Sequence, residues 1–159
     1  MKQLNLDKIK ATLERVPEEF EGMVAQVGFP SGINYEDGTS VAYVAAIQEF
    51  GAPAVGIPPR PFIQPTVTEK KDTWTTIIEK QIPKVVLGKM SAFDVLDLVG
   101  MSAAADIQTK ISSIYSPPNA PATIRAKGSA KPLIDTGLML ASVQNAVNKT
   151  GSEFTSKVS

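Results

Sequence analysis

The chain has 159 residues, 43% of them hydrophobic; its 16 basic and 16 acidic side chains balance, and it has neither histidine nor cysteine. That length suits one domain with one core, and the zero net charge argues against long-range attraction to nucleic acid while removing repulsion between copies. Without histidine or cysteine there is no usual zinc site, no Ser-His-Asp or Cys-His nucleophile, no neutral-pH proton shuttle and no disulfide.

The N-terminal stretch Met1-Lys2-Gln3-Leu4-Asn5-Leu6-Asp7 has one basic residue and no apolar core. No secretory signal is therefore expected, and a cytoplasmic setting is. No run reaches the roughly 18 apolar residues of a membrane helix. Leu6, Ile9, Leu13 and Val16 share one face of a first helix, capped by Asn5, with Asp7 in the first turn. Pro17 is expected to end it. Met23, Ala25, Val27 and Phe29 alternate as in a strand with one buried face, and Pro30-Ser31-Gly32 closes it.

Ser40 is placed to cap a short helix over 41–50, with Val41, Val44, Ala45 and Gln48 on one face, Ile47 beside it, and Gly51 at its end. Residues 52–61, with four prolines and one glycine, predict an extended, stiff connector. A long helix is expected from about Thr66 into the eighties, marked by Val67, Trp74, Ile77, Ile78 and Ile82, with a kink or break at Pro83 and a stop at Gly88. Ser91 and Asp94 form a capping box that opens a third long helix to about Tyr115. Its stripe Leu96, Val99, Ala103, Ile107, Ile111 and Ile114 is the strongest periodic signal in the chain. A loop over 116–132, read as mobile, carries Arg125, Lys127 and Lys131. Asp135 or Thr136 is placed to cap a short helical turn over 137–142, and 143–158 read as two short strands around Lys149-Thr150-Gly151. The fold class is α+β: one domain over 1–159, with a small antiparallel or mixed sheet packed against two long helices and shorter N-terminal helices.

No constellation supports catalysis. Gly88-Lys89 is followed by Met90 and lacks the upstream glycine of a phosphate loop. Asp135-Thr136-Gly137 matches an aspartic-protease triplet but occurs once, and its flanks read as helix. Glu36 and Asp37 are too few oxygen ligands for calcium, so Asp37-Gly38 reads as a turn. Asn148-Lys149-Thr150 is a glycosylation sequon by pattern alone. The expectation is a protein that is not an enzyme and needs no cofactor and no metal.

Three stretches together carry a resemblance. They are Asp37 to Gly51 (DGTSVAYVAAIQEFG), Ile57 to Ile63 (IPPRPFI), and Ser116 to Ile124 (SPPNAPATI) followed by Lys127-Gly128 and Lys131 to Gly137 (KPLIDTG). In this order and spacing, over most of 23–142, the chain resembles the virion morphogenesis and tail-completion family of long-tailed bacteriophages. It departs at Gln48, where the family often has asparagine, and at Leu138, where a basic residue is common. The resemblance implies a small α+β subunit of the neck, the ring stack between capsid portal and tail tube. It would act through interfaces, with six copies by analogy with six-fold tails. The implied partners are other copies of itself and neighbouring neck and tail proteins (head-closure or adaptor, terminator, tail tube), with no membrane. A tail terminator and a non-virion assembly factor are the alternatives.

The candidate subunit-interface residues are Glu49, Phe50, Arg60, Phe62, Arg125, Lys127 and Lys131. Glu49 and Arg60 suit a carboxylate–guanidinium pair, within one chain or between two. Phe62 reads as a core or interface anchor, with core favoured. Arg125, Lys127 and Lys131 suit solvent, a weak DNA contact in a channel, or a loop that orders on docking.

Overall fold

The computed structural model describes residues 6–114 and 137–155. The described elements are α1 (Leu6–Phe20), β1 (Met23–Gly28), α2 (Val41–Phe50), a 3-10 turn (Pro53–Val55), α3 (Ile63–Val86), α4 (Ala92–Ser113), α5 (Leu138–Ala141) and β2 (Gln144–Lys149). Five helices and a two-stranded antiparallel sheet make an α+β fold.

Amphipathic stripes place the helices. Ala103, Ile107 and Ile111 of the predicted α4 stripe are buried, joined by Ala92, Val95 and Ala104. The core gathers around Val41 and Ala45 from α2, Phe62, Ala104, Ile107 and Ile111 from α4, Met139 from α5 and Val143. Phe29 packs edge-on against Phe62, with ring centroids 5.8 Å apart and an interplanar angle of 89°, the geometry the ring quadrupole favours. The capping box forms as read: Ser91 Oγ accepts from Asp94 N–H, and the Asp94 carboxylate accepts from Ser91 N–H at 2.9 Å. On the flank of α3 and α4, Trp74 Nε1 donates to Asp106 Oδ2 at 2.8 Å and Lys110 Nζ lies 2.7 Å from Glu69. Asn145 on β2 donates to Asp97 Oδ1 at 2.8 Å, and a Cβ on Gly100 would come within 3.0 Å of it, so glycine lets β2 seat on α4.

Several expectations are corrected. α1 continues through Pro17 to Phe20. Leu13, whose carbonyl loses its partner to Pro17, is half exposed, so the break falls on the outer side of the helix. α3 likewise runs through Pro83 without a break, with Glu79 and Pro83 both exposed. It starts at Ile63, three residues ahead of the expected Thr66. Pro65 sits in the first turn, where a missing N–H removes no helical bond. Val67, assigned to the buried stripe of α3, is exposed.

Within 52–61, residues 52–57 are not extended. The 3-10 turn closes a tight loop, with Ala52 and Ile57 exchanging backbone bonds of 2.9 and 3.1 Å. Ser40 precedes α2 in extended geometry but makes no side-chain cap bond. Within 143–155 there is one strand, β2, not two, and its partner is β1, in the register Met23↔Lys149 to Gly28↔Gln144. Beyond Gly151 the described chain makes a single parallel bridge, Thr155 to Ser31. The loop 116–132 and the cap at Asp135 or Thr136 lie outside the described residues. No helix among the described residues is long and apolar enough to cross a membrane.

Candidate functional site

Two of the three motif stretches meet at one corner, where α2 ends and α3 begins. A helix start leaves four backbone N–H groups without intrahelical partners. At α3 three of these donate to one carboxylate: Phe62 and Ile63 to Glu49 Oε2 at 2.7 and 2.9 Å, and Gln64 to Glu49 Oε1 at 2.9 Å. The fourth position is Pro65, which has no N–H to satisfy. Glu49 thus caps a helix that begins 14 residues later, and its negative charge sits at the positive end of the α3 dipole. It is 5% exposed. Buried Thr66 adds a bond from Oγ1 to the Phe62 carbonyl at 2.6 Å.

The turn before the corner has a glycine it cannot replace. Gly51 has φ 73° and ψ 174°, a combination open to glycine alone. A Cβ there would also come within 2.8 Å of Pro59 N and 2.9 Å of the Ile57 carbonyl oxygen. The chain end of α2 and the Pro58-Pro59 backbone therefore touch, which the Glu-Phe-Gly and Pro-Pro-Arg-Pro spacing makes possible.

Arg60 is buried at 5% exposure. Its backbone N–H donates to the Gln48 carbonyl at 2.6 Å and its Nη1 donates to Gln48 Oε1 at 3.1 Å. Burial pulls the guanidinium pKa below its usual value. Gln48 was read from the sequence as a helix-face residue and as a departure from the family pattern, yet it is Arg60's partner on both backbone and side chain. Phe62 has no exposed surface, and its ring lies in the core of its own chain. Of the candidates at this corner, only Phe50 faces solvent, at 71% exposure. Tyr43 on the same helix, at 63%, and Val55 on the turn beyond, at 72%, are exposed apolar residues that the motif reading passed over. Arg125, Lys127 and Lys131 lie outside the described residues.

Asp37 sits in a turn, as expected. It accepts from Thr39 N–H at 2.9 Å, and that bond holds its carboxyl below the usual aspartate range. Beside it an open depression of about 650 Å³ is lined by Asn34, Tyr35, Glu36, Asp37, Gly137 and Leu138. Among the described residues no group of three or more carboxylates could hold a metal ion. The Glu49 carboxylate accepts from three α3 amides, which suits the corner to holding a shape. Comparison with known proteins finds no matching family model, no matching curated protein and no matching solved structure, so the resemblance rests on the motif residues themselves.

Proposed function

We propose that the chain is a structural subunit of the neck of a long-tailed bacteriophage, a tail-completion or head–tail connector protein that works in a ring and catalyses nothing. The observation that carries this reading is the corner built by Glu49. The residues in which the resemblance is concentrated, 37–51 and 57–63, are joined there by three carboxylate–amide bonds and a glycine contact. They are used to fix the direction of α3 against α2 and to leave Phe50 outside. A part whose work is docking needs a rigid scaffold under an exposed anchor.

The test is quantitative mass spectrometry of purified phage particles. A neck ring of the kind the resemblance implies gives about six or twelve copies per particle, in keeping with six-fold tails and a closed symmetric ring. Absence from particles would overturn the structural reading in favour of an assembly factor. A null mutant then separates the roles. Heads and tails that are normal but unjoined indicate a connector, and overlong tails indicate a terminator.

A further inference from the structure

Past β2 the chain doubles back. Thr150 N–H donates to the Gly22 carbonyl at 2.9 Å, which ends the ladder. Ser152 N–H then donates to the Lys149 carbonyl at 3.0 Å, closing a four-residue turn with Gly151 at its third position. Gly151 has φ 85°, a value that suits that position and that glycine adopts without a steric penalty. Residues 152–155 return in the direction of β1, and Thr155 bridges Ser31 in parallel.

Among the described residues, two bonds tie this returning segment to the rest of the chain. Gln26 Nε2 donates to the Ser152 carbonyl at 3.0 Å, and Ser31 N–H donates to the Phe154 carbonyl at 2.9 Å. Gln26 Oε1 accepts from Asn148 Nδ2 at 2.7 Å, so one side chain links the segment to both strands of the sheet. Ser152, Glu153 and Thr155 are exposed, while Phe154 is half-buried. Phe154 forms part of the wall of an open groove of about 360 Å³, which Val27, Phe29, Ala42, Ala46 and Phe50 also line.

We infer that residues 152–155 are a strap that opens and closes on the otherwise folded chain, hinged at Gly151 and latched by Phe154. The free energy of local opening ranges from almost nothing, where a segment has few buried apolar contacts and exposed hydrogen bonds, to the global value in the core. The strap belongs to the first kind. When it leaves, the β1–β2 ladder and the core around α4 stay as they are. Ser31 and Ser152 are exposed, so water replaces the partners that they lose. Opening removes the Phe154 wall and uncovers the side of the groove formed by Val27 and Phe29. The strap thereby sets how often that side is uncovered, and the affinity of any occupant is scaled by the open fraction. This is a property of the single chain and does not rest on the neck reading.

Native-state hydrogen exchange of the full chain, followed amide by amide by NMR, tests it. Ser31 N–H reports on the strap because its acceptor is the Phe154 carbonyl. The amides of Ile107 and Ile111, buried in the middle of α4, report on global unfolding. Ser31 is expected to be protected relative to unstructured peptide and yet to exchange about 100-fold faster than Ile107. Its rate should hardly respond to dilute urea, because opening exposes little surface, whereas the Ile107 rate should climb. Phe154→Ala should speed Ser31 exchange about tenfold further, which is the worth of a half-buried ring. The Ile107 rate and the melting temperature should stay unchanged. A Ser31 amide with the rate and urea dependence of Ile107 would place the strap in the cooperative core and overturn the inference. An unprotected Ser31 would overturn it too, since there would be no closed state. So would faster Ile107 exchange in F154A, which would make Phe154 part of the core.

Discussion

Glu49 holds the start of α3 through three amide bonds, and its replacement separates geometry from charge. Glu49→Ala leaves those donors in a buried corner with no acceptor, and is expected to lower stability by about 2–4 kcal/mol. Glu49→Gln keeps one carbonyl oxygen and loses the charge on the α3 dipole, so its loss should be smaller. Urea midpoints of the two variants check this, and an unshifted midpoint for the alanine variant would show that water caps α3 equally well. Gly51→Ala should cost about 1–3 kcal/mol from backbone strain alone, with the overlap on Pro59 and Ile57 added to it. Arg60→Ala belongs with these substitutions. Its side chain is buried on Gln48, so a truncated Arg60 should weaken the isolated chain as well as any assembly. The sequence offered Glu49 and Arg60 as partners of each other. The structure gives Glu49 to the α3 amides and Arg60 to Gln48, a division that residue types alone do not specify, because a carboxylate accepts from backbone N–H groups as readily as from a guanidinium.

Elements with local punctuation were legible. α2 has the residues its apolar run and Gly51 imply, and α4 opens at the Ser91–Asp94 box because both halves of the signal lie within one turn. The proline boundaries failed for a common reason. Pro17 and Pro83 each remove one helical bond, and on an exposed side water replaces it at small cost. Val67 is exposed although Trp74, two turns along the same stripe, bonds to Asp106 of α4; near the start of α3 the buried residue is Thr66 instead. The α4 box also sets a pH dependence. Bonds from Ser91 hold the Asp94 carboxyl below the usual aspartate range in the folded chain. A depressed folded value means that this stabilisation is complete above the unfolded value and is lost as pH falls through the folded one. Asp94→Asn should therefore flatten the stability profile below about pH 4 and change its slope little near neutrality. Thermal melts across that range decide it, and a slope identical to wild type would show that the box contributes nothing to the acid response.

At the scale of the molecule, what the sequence could not supply was the pairing of β1 with β2. Both segments were read as strands, but β2, QNAVNK, has little apolar content to name a partner, and that partner lies more than a hundred residues away. It becomes a strand because Asn145 docks on Asp97 and Gly100 of α4, and because β1 offers it a ladder. The two-stranded sheet thus ties the N-terminal third of the chain to its C-terminal end, over the helix that carries the core. A sheet of two strands is marginal by itself, so each strand depends on α4 and on the other. Removing the chain from Gln144 onward would strip β1 of its ladder and uncover Gly100 of α4. The truncated chain is expected to lose cooperative unfolding altogether, even though α3 and α4 remain whole. Trp74 is the one tryptophan and bonds to Asp106 across the α3–α4 contact, so its emission reports whether those helices stay docked. A broad, sloping urea transition in the truncated chain, against a single sharp one in the full chain, would establish that the sheet closes the fold. A sharp transition in both would make α3 and α4 an independent hairpin and reduce the sheet to an appendage.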